Sequence, residues 1–89
     1  MRHRANNDFW HDYHALPPEI RTRADKQFAL LNSNPQHSPL QLKKLGYRNS
    51  QEIWSACVTL RYRALAVKQA DEYVWFWIGG HNVYDNLIS

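Results

Sequence analysis

This 89-residue chain has almost no cysteine and no long hydrophobic run. The single cysteine, Cys57, cannot form an internal disulfide, and no Cys and His spacing of the zinc-finger kind is present. The longest apolar run covers residues 73–78, far short of the roughly 18 residues that cross a bilayer. The polar N-terminus does not resemble a targeting segment. We therefore expect a soluble, cytoplasmic protein with no membrane partner.

Acidic residues are also scarce relative to basic ones. Eight Asp and Glu against eleven Lys and Arg give a net charge of +3, and the pI is about 9.2. This balance favours a polyanionic partner such as a nucleic acid, although small basic domains often have it without one. With 44% hydrophobic residues the chain should fold, but its length leaves room for one core only. Residues 1–89 are therefore expected to form a single domain, which excludes the larger enzyme scaffolds.

The first part of the chain has helical periodicity. Apolar residues recur at steps of four, four and three between residues 17 and 34, at Ile20, Ala24, Phe28 and Leu31. This spacing predicts a helix with one apolar face, preceded by Pro17 and Pro18, which suit a first turn. Phe9 and Tyr13 belong to a shorter predicted helix upstream, for which Asp8 is the expected cap. The two helices should form an αα-hairpin.

Beyond residue 39 the pattern is that of strands. The alternation from Leu40 to Leu45 predicts a first strand, and residues 53–67, rich in β-branched and aromatic residues, predict two more with a reversal near residues 59–61. Residues 73–78 predict a last, central strand that Gly79 and Gly80 terminate. Trp75 and Trp77 are expected on one face of it. The predicted fold is α+β, an N-terminal αα-hairpin packed on an antiparallel sheet of about four strands.

Four short motifs extend over nearly the whole chain. They are Phe9-Trp10 with Ala15-Leu16-Pro17 and Ile20-Arg21; Asn34-Pro35-Gln36-His37-Ser38-Pro39-Leu40 leading into Leu42-Lys43-Lys44-Leu45; Trp54-Ser55 with Tyr62-Arg63-Ala64-Leu65; and Trp75-Phe76-Trp77-Ile78-Gly79-Gly80-His81 with Tyr84-Asp85. In this order and spacing they resemble the RelE/ParE superfamily of toxins from type II toxin–antitoxin systems. The last motif is similar to that of a RelE-like subgroup.

The resemblance implies a compact domain that is neutralised by an antitoxin wrapped around it, with operator DNA bound only through that complex. RelE-like members enter the ribosomal A site and cut mRNA, whereas ParE-like members poison DNA gyrase. A shared fold does not choose between these activities. The choice depends on the residues of the site.

Metal-independent RNA cleavage requires a base, an acid and a cation, because the 2′-hydroxyl attacks the adjacent phosphorus and charge develops there. The resemblance assigns phosphate binding to Arg63, whose guanidinium fork matches two phosphate oxygens. Arg61 would share its face if one strand holds both residues. Both arginines are alternatively solvated charges at a strand end. No cofactor and no metal is expected.

His81 is the expected general acid or base, since an imidazole with an ordinary pKa near 6.5 suits proton transfer. Without the resemblance it would read as a surface histidine. Tyr84 is expected to assist, by stacking on a nucleobase or by donating a phenolic hydrogen bond, or else to anchor the tail. Asp85 either orients His81 or has a structural role.

Lys43 and Lys44 are candidate RNA-binding residues on a predicted strand. Alternation sends one to each face of the sheet, and the sequence does not tell which one lies beside the site. Cys57 occupies a position where the family pattern usually has an arginine, so one cation is missing unless Arg61 replaces it. Cys57 itself is more typical of a small buried residue than of a nucleophile.

These residues leave three functions open. The first is a ribosome-dependent mRNA endonuclease that inhibits translation, and it accounts best for His81 and Tyr84. The second is a non-nucleolytic inhibitor of DNA gyrase. The third is a catalytically degenerate module that binds only its antitoxin. This possibility is considered because Cys57 stands where the family usually has an arginine.

Overall fold

The structure, a computed structural model, describes residues 2–33 and 42–88. Its elements are β1 (Arg2–Ala5), α1 (Asn7–His14), α2 (Pro18–Ser33), β2 (Lys43–Arg48), β3 (Gln51–Thr59), β4 (Tyr62–Gln69), β5 (Glu72–Gly80) and α3 (His81–Ile88). The described strands form one sheet in the order β1-β5-β4-β3-β2. Strands β2 to β5 are antiparallel neighbours, whereas β1 pairs parallel with β5. The predicted α+β architecture is confirmed, with one additional strand.

Helices α1 and α2 form the predicted αα-hairpin. Asn6, not Asp8, caps α1: its backbone is extended at φ −88°, and its Oδ1 accepts a hydrogen bond from the Phe9 amide at 2.9 Å. Asp8 instead lies in the first turn, where a carboxylate faces the positive end of the helix. The Tyr13 hydroxyl donates to Asp25 Oδ1 at 2.7 Å and so links the two helices.

The main core lies between the hairpin and one face of the sheet. It is built from Phe9, Leu16, Ala24, Leu31, Ala56, Val58, Ala64, Ala66, Tyr73, Trp75 and Ile78. Three of these are alanines in the middle of β3 and β4, and all three are fully buried. Small side chains there let the helices approach the sheet, while aromatic rings fill the space at its β5 side.

A β-bulge in β5 corrects one expectation. Leu65 pairs with Trp77 and Ala66 with Trp75, which leaves Phe76 as an extra residue. The bulge changes the alternation, so Trp75 is buried among the helices, 1% exposed, while Trp77 lies on the opposite face. The two tryptophans do not share a face.

Two elements were not predicted from sequence. Strand β1 is short and polar, and its positions alternate between exposed and half-buried without an apolar pattern in the sequence. Helix α3 begins directly after β5 and covers part of the sheet face opposite the hairpin, which we call the α3 face. No helix in residues 2–33 or 42–88 is long and apolar enough to span a membrane. The predicted motif at residues 34–40 lies outside the described residues.

Candidate functional site

The α3 face carries the predicted arginine in the middle of a three-strand row. Arg63 on β4 pairs with Cys57 on β3 and with Gly79 on β5. Paired residues project from the same face of a sheet, so all three lie on the α3 face. Arg63 therefore has a thiol on one side and no side chain on the other.

Tyr84 of α3 supports the Arg63 side chain. The guanidinium carbon lies over the Tyr84 ring, 5.4 Å from its centroid. Tyr84 itself is only 7% exposed, so this contact is sheltered from solvent. A cation over an aromatic face is attracted to the ring quadrupole, and more strongly when it is shielded from water. The structure thus places Tyr84 beneath Arg63 and leaves its ring little access for stacking on a nucleobase.

One nitrogen of Arg63 has no protein partner. Among the described residues, Arg63 Nε is the buried polar side-chain atom that has no hydrogen-bond partner. A buried, unsatisfied donor on a charged group is costly, and it creates a strong preference for an incoming acceptor. An anionic oxygen would satisfy it.

His81 is the first residue of α3. Its Nδ1 lies 3.1 Å from Asp85 Oδ2, one helical turn later, and the imidazole is about half exposed. A carboxylate at Nδ1 fixes the ring orientation and leaves Nε2 available for proton transfer. The His81 ring lies 6.3 Å from the Tyr84 ring, so Tyr84 contacts both Arg63 and His81. Of the two roles considered for Asp85, orienting His81 or a purely structural one, this geometry matches the first.

Arg61 is beside His81 but not on the strand with Arg63. It lies in the turn between β3 and β4, and β4 begins only at Tyr62. The condition under which Arg61 and Arg63 would share one strand face is therefore not met, because alternation applies only within a strand. Instead, the Arg61 carbonyl accepts a 2.7 Å hydrogen bond from the His81 amide, which joins this turn to the start of α3.

An open cavity of about 570 Å³ lies where this turn meets the start of α3. Its lining is Leu60, Arg61, Tyr62, Gly80, His81, Asn82 and Val83. Sequence reasoning missed Leu60 and Val83, whose apolar side chains are 92% and 51% exposed. An isolated leucine in a turn carries no functional signal in a sequence. Here it stands at the rim of a basic, histidine-containing cavity.

The structure separates the two candidate lysines. Lys43 pairs with Ser55, two residues before Cys57 on β3, and so projects to the α3 face. Lys44 pairs with Trp54 and projects to the helix side, where its Nζ donates to the Tyr47 hydroxyl at 3.3 Å. That hydrogen bond raises the pKa of Lys44 above its ordinary value. Lys43 is thus the lysine on the face of Arg63.

Cys57 occupies the position directly opposite Arg63. Its Sγ donates a hydrogen bond to the Thr59 carbonyl oxygen at 3.1 Å, and its side chain is half-buried. The thiol is therefore engaged with the backbone at the end of β3. An arginine in its place would stand across the ladder from Arg63.

Gly79 and Gly80 do not terminate the last strand, contrary to the prediction from sequence. Strand β5 continues through both, and neither has a positive φ. A Cβ on Gly79 would come within 2.6 Å of the Trp77 indole, which lies across this residue. The glycine therefore provides room for Trp77, whose ring packs 6.4 Å from that of Tyr84.

In residues 2–33 and 42–88, no three His, Cys, Asp or Glu side chains are grouped as a metal site would require.

The sequence itself now identifies the family. Residues 18–86 match the ParE-like toxin domain family. The chain belongs to this family. It is thus a toxin of the RelE/ParE type of toxin–antitoxin system. No curated protein matches the sequence.

Solved structures of this toxin class share the fold. The RelB–RelE complex from Methanococcus jannaschii has a TM-score of 0.70 at 22% identity, covering 92% of this chain and 95% of that one. The archaeal RelE–RelB complex from Pyrococcus horikoshii OT3 has a TM-score of 0.68 at 13% identity, and the match covers 89% of this chain and 92% of that one. The YoeB/ParE toxin from Agrobacterium tumefaciens has a TM-score of 0.67 at 13% identity, and the match covers 91% of this chain and 99% of that one. At these identities the likeness concerns the fold of the ParE-like domain, and its chemistry must be argued from its own residues.

Proposed function

We propose that this ParE-like toxin is a ribosome-dependent mRNA endonuclease that acts in the cytoplasm and inhibits translation. The observation that carries the proposal is the arrangement around Tyr84, which contacts both the Arg63 guanidinium and the His81 imidazole. A phosphate-binding cation and a proton-transfer group thereby meet at one end of the sheet. A surface that only contacts a protein target needs no such pair.

The phosphate would be held by Arg63. Its unsatisfied, buried Nε requires an acceptor, and a phosphate oxygen supplies one together with a negative charge. As the 2′-hydroxyl attacks phosphorus, charge accumulates on the non-bridging oxygens of the phosphorane. A guanidinium already fixed over Tyr84 stabilises that charge without reorganisation.

Proton transfer would involve His81. With Asp85 at Nδ1, the free Nε2 either accepts the proton of the attacking 2′-hydroxyl or donates one to the departing 5′-oxygen. Arg61, which lines the same open cavity, adds positive charge near the scissile phosphate. Lys43, farther along the same face, would bind a neighbouring phosphate without reading sequence.

A cognate antitoxin is the proposed protein partner. The solved relatives from Methanococcus jannaschii and Pyrococcus horikoshii are complexes with RelB. Strand β5 offers no free edge for an added strand at residues 72–75, because β1 pairs with it there. Among the described strands, β1 and β2 each have one unpaired edge, and β2, which is the longer of the two, is the better candidate for an added strand.

The proposal is tested by primer extension on a reporter mRNA after induction of the toxin without antitoxin. Cuts inside translated codons should be present with the native protein and absent with Arg63→Ala and with His81→Ala. Arg23→Ala and His14→Ala, which remove the same residue types from exposed positions on α2 and α1, should leave cleavage intact.

Two other results would contradict the proposal and point elsewhere. Growth arrest without mRNA cuts, together with inhibition of supercoiling by the purified protein, would assign gyrase as the target. Accumulation of folded protein with neither cuts nor arrest would indicate a degenerate module that retains only antitoxin binding, as the cysteine at position 57 allows.

A further inference from the structure

A second cavity lies far from this site, between β1, α1 and α2. It has a volume of about 260 Å³. Its lining includes five aromatic residues: Phe9, Trp10, Tyr13, Phe28 and Trp75. Adjacent rings meet mostly edge to face, as in the Phe9 and Trp10 pair with centroids 5.4 Å apart. Trp10 is 46% exposed, so the aromatic wall is accessible from solvent.

The charged side chains that line this cavity, Arg4 and Asp25, differ in their partners. Arg4 lies 3.0 Å from Glu72, which also pairs with Arg2. His3 uses Nδ1 to accept a hydrogen bond from Trp75 Nε1, which requires that nitrogen to be unprotonated. Asp25, in contrast, receives only the neutral Tyr13 hydroxyl. None of the ion pairs in residues 2–33 and 42–88 involves Asp25, although Arg21 lies one turn earlier on α2.

Aromatic faces combined with a carboxylate are the chemistry that recognises organic cations. A ring attracts a cation placed over its face, and the interaction is stronger when the cation carries alkyl groups and leaves water easily. A hydrophobic ligand without charge would leave Asp25 with only its present partner. The volume suits one alkylammonium or guanidinium group rather than a larger ligand, since pockets for drug-sized molecules begin at about 300 Å³.

We propose that the cavity between β1, α1 and α2 binds one organic cation, with Asp25 as its counter-charge and the aromatic side chains as its walls. The cation is an alkylammonium or guanidinium group, either a free solute or the end of a protein side chain. This site is independent of the nuclease proposal, because it lies on the helix side of the sheet and shares no residue with the α3 face.

The test is an NMR titration of the purified, indole-labelled full chain with choline chloride. The Trp10 and Trp75 indole signals should shift saturably, whereas that of Trp54, which does not line the cavity, should not. The neutral isostere 3,3-dimethylbutan-1-ol and equal sodium chloride are the controls. Asp25→Asn should weaken choline binding roughly three- to tenfold, and Glu19→Gln, a matched change elsewhere on α2, should not weaken it.

Capped arginine distinguishes the two sources of the cation. Tighter binding of N-acetyl-arginine methylamide than of choline would indicate a protein side chain, and the reverse would indicate a free solute. The proposal is overturned if the neutral isostere binds as well as choline, if Asp25→Asn binds unchanged, or if no indole shifts at high millimolar choline. Chemical shifts outside the cavity verify that Asp25→Asn remains folded.

Discussion

The guanidinium of Arg63 lies over the ring of Tyr84, with 5.4 Å between the guanidinium carbon and the ring centroid. This contact joins β4 to α3, and it converts a flexible side chain into one with a fixed direction. Arg63 pairs with Gly79 on β5, which has no side chain to compete for this space. The ring of Tyr84 is therefore a support for the cation rather than a free surface.

Replacement of Tyr84 tests that support. Tyr84→Leu should reduce mRNA cleavage about tenfold, because the loss of a sheltered cation–π contact corresponds to roughly 1 to 2 kcal/mol. Tyr84→Phe keeps the ring and should retain most of the activity. Cleavage rates in a reconstituted translation system measure both, with thermal melting as the check on folding. Equal losses in the two variants would show instead that the hydroxyl takes part in the reaction.

Cys57→Arg should increase the cleavage rate by several-fold. The new guanidinium would stand opposite Arg63 in the β3 and β4 ladder and place a second cation beside the phosphate that Arg63 is proposed to bind. Like charges directly opposite on a sheet cost stability, so the melting temperature of the free protein should fall by a few degrees. Cys57→Ser is the matched neutral change and should leave the rate unaltered. A slower Cys57→Arg enzyme would mean that position 57 does not face the phosphate.

Lys43 and Lys44 differ in the face to which they project, and this difference has a measurable consequence. Lys43→Gln should weaken binding to RNA or ribosomes and reduce its salt dependence by about one phosphate contact. Lys44→Gln should do neither, because its ammonium group is directed to Tyr47 on the other face. Affinity measured at several salt concentrations separates the two. Identical slopes for both variants would contradict the assigned faces.

Acidification should weaken the attachment of β1. Burial lowers the pKa of His3 below its ordinary value of 6.5, and its Nδ1 must remain unprotonated to accept from Trp75 Nε1. The unfolded chain therefore binds a proton at higher pH than the folded one, so this stabilisation is complete above about pH 6.5 and is lost as the pH falls toward the lower, folded pKa.

Urea unfolding at about pH 7.5 and about pH 5.5 measures this dependence. The drop in unfolding free energy should be smaller in His3→Asn, which keeps an acceptor but does not titrate. His14→Asn changes an exposed histidine of α1 and should behave like the native protein. A native-sized drop in His3→Asn would assign the pH dependence to other groups.

Much of the fold could be predicted because its periodicities are simple. The stripe from Ile20 to Leu31 indicated α2, and the turn before Tyr62 was placed correctly in a segment without glycine. Strand β1 escaped prediction because Arg2 and Arg4 are held by Glu72 rather than by apolar burial. A strand made by pairing alone leaves no hydrophobic pattern.

The site was predicted only as a set of residue types. Sequence could name Arg63, His81 and Tyr84, but the residue that contacts the other two depends on α3, which is only eight residues long and follows β5 without an intervening loop. The bulge at Phe76 likewise places Trp75 and Trp77 on opposite faces of the sheet, and no local signal in the sequence marks it. Such features are determined by how strands pair, which is information distributed over distant segments.

The parallel pairing of β1 with β5 has a consequence for the order in which the sheet assembles. Arg2 pairs with Glu72 and Ala5 with Trp75, so the partners are separated by most of the described chain. Contacts this distant in sequence form late, since the intervening chain must be closed first. The antiparallel neighbours from β2 to β5 are instead joined by short turns. The sheet is therefore expected to assemble from these local hairpins, and the attachment of β1 completes it.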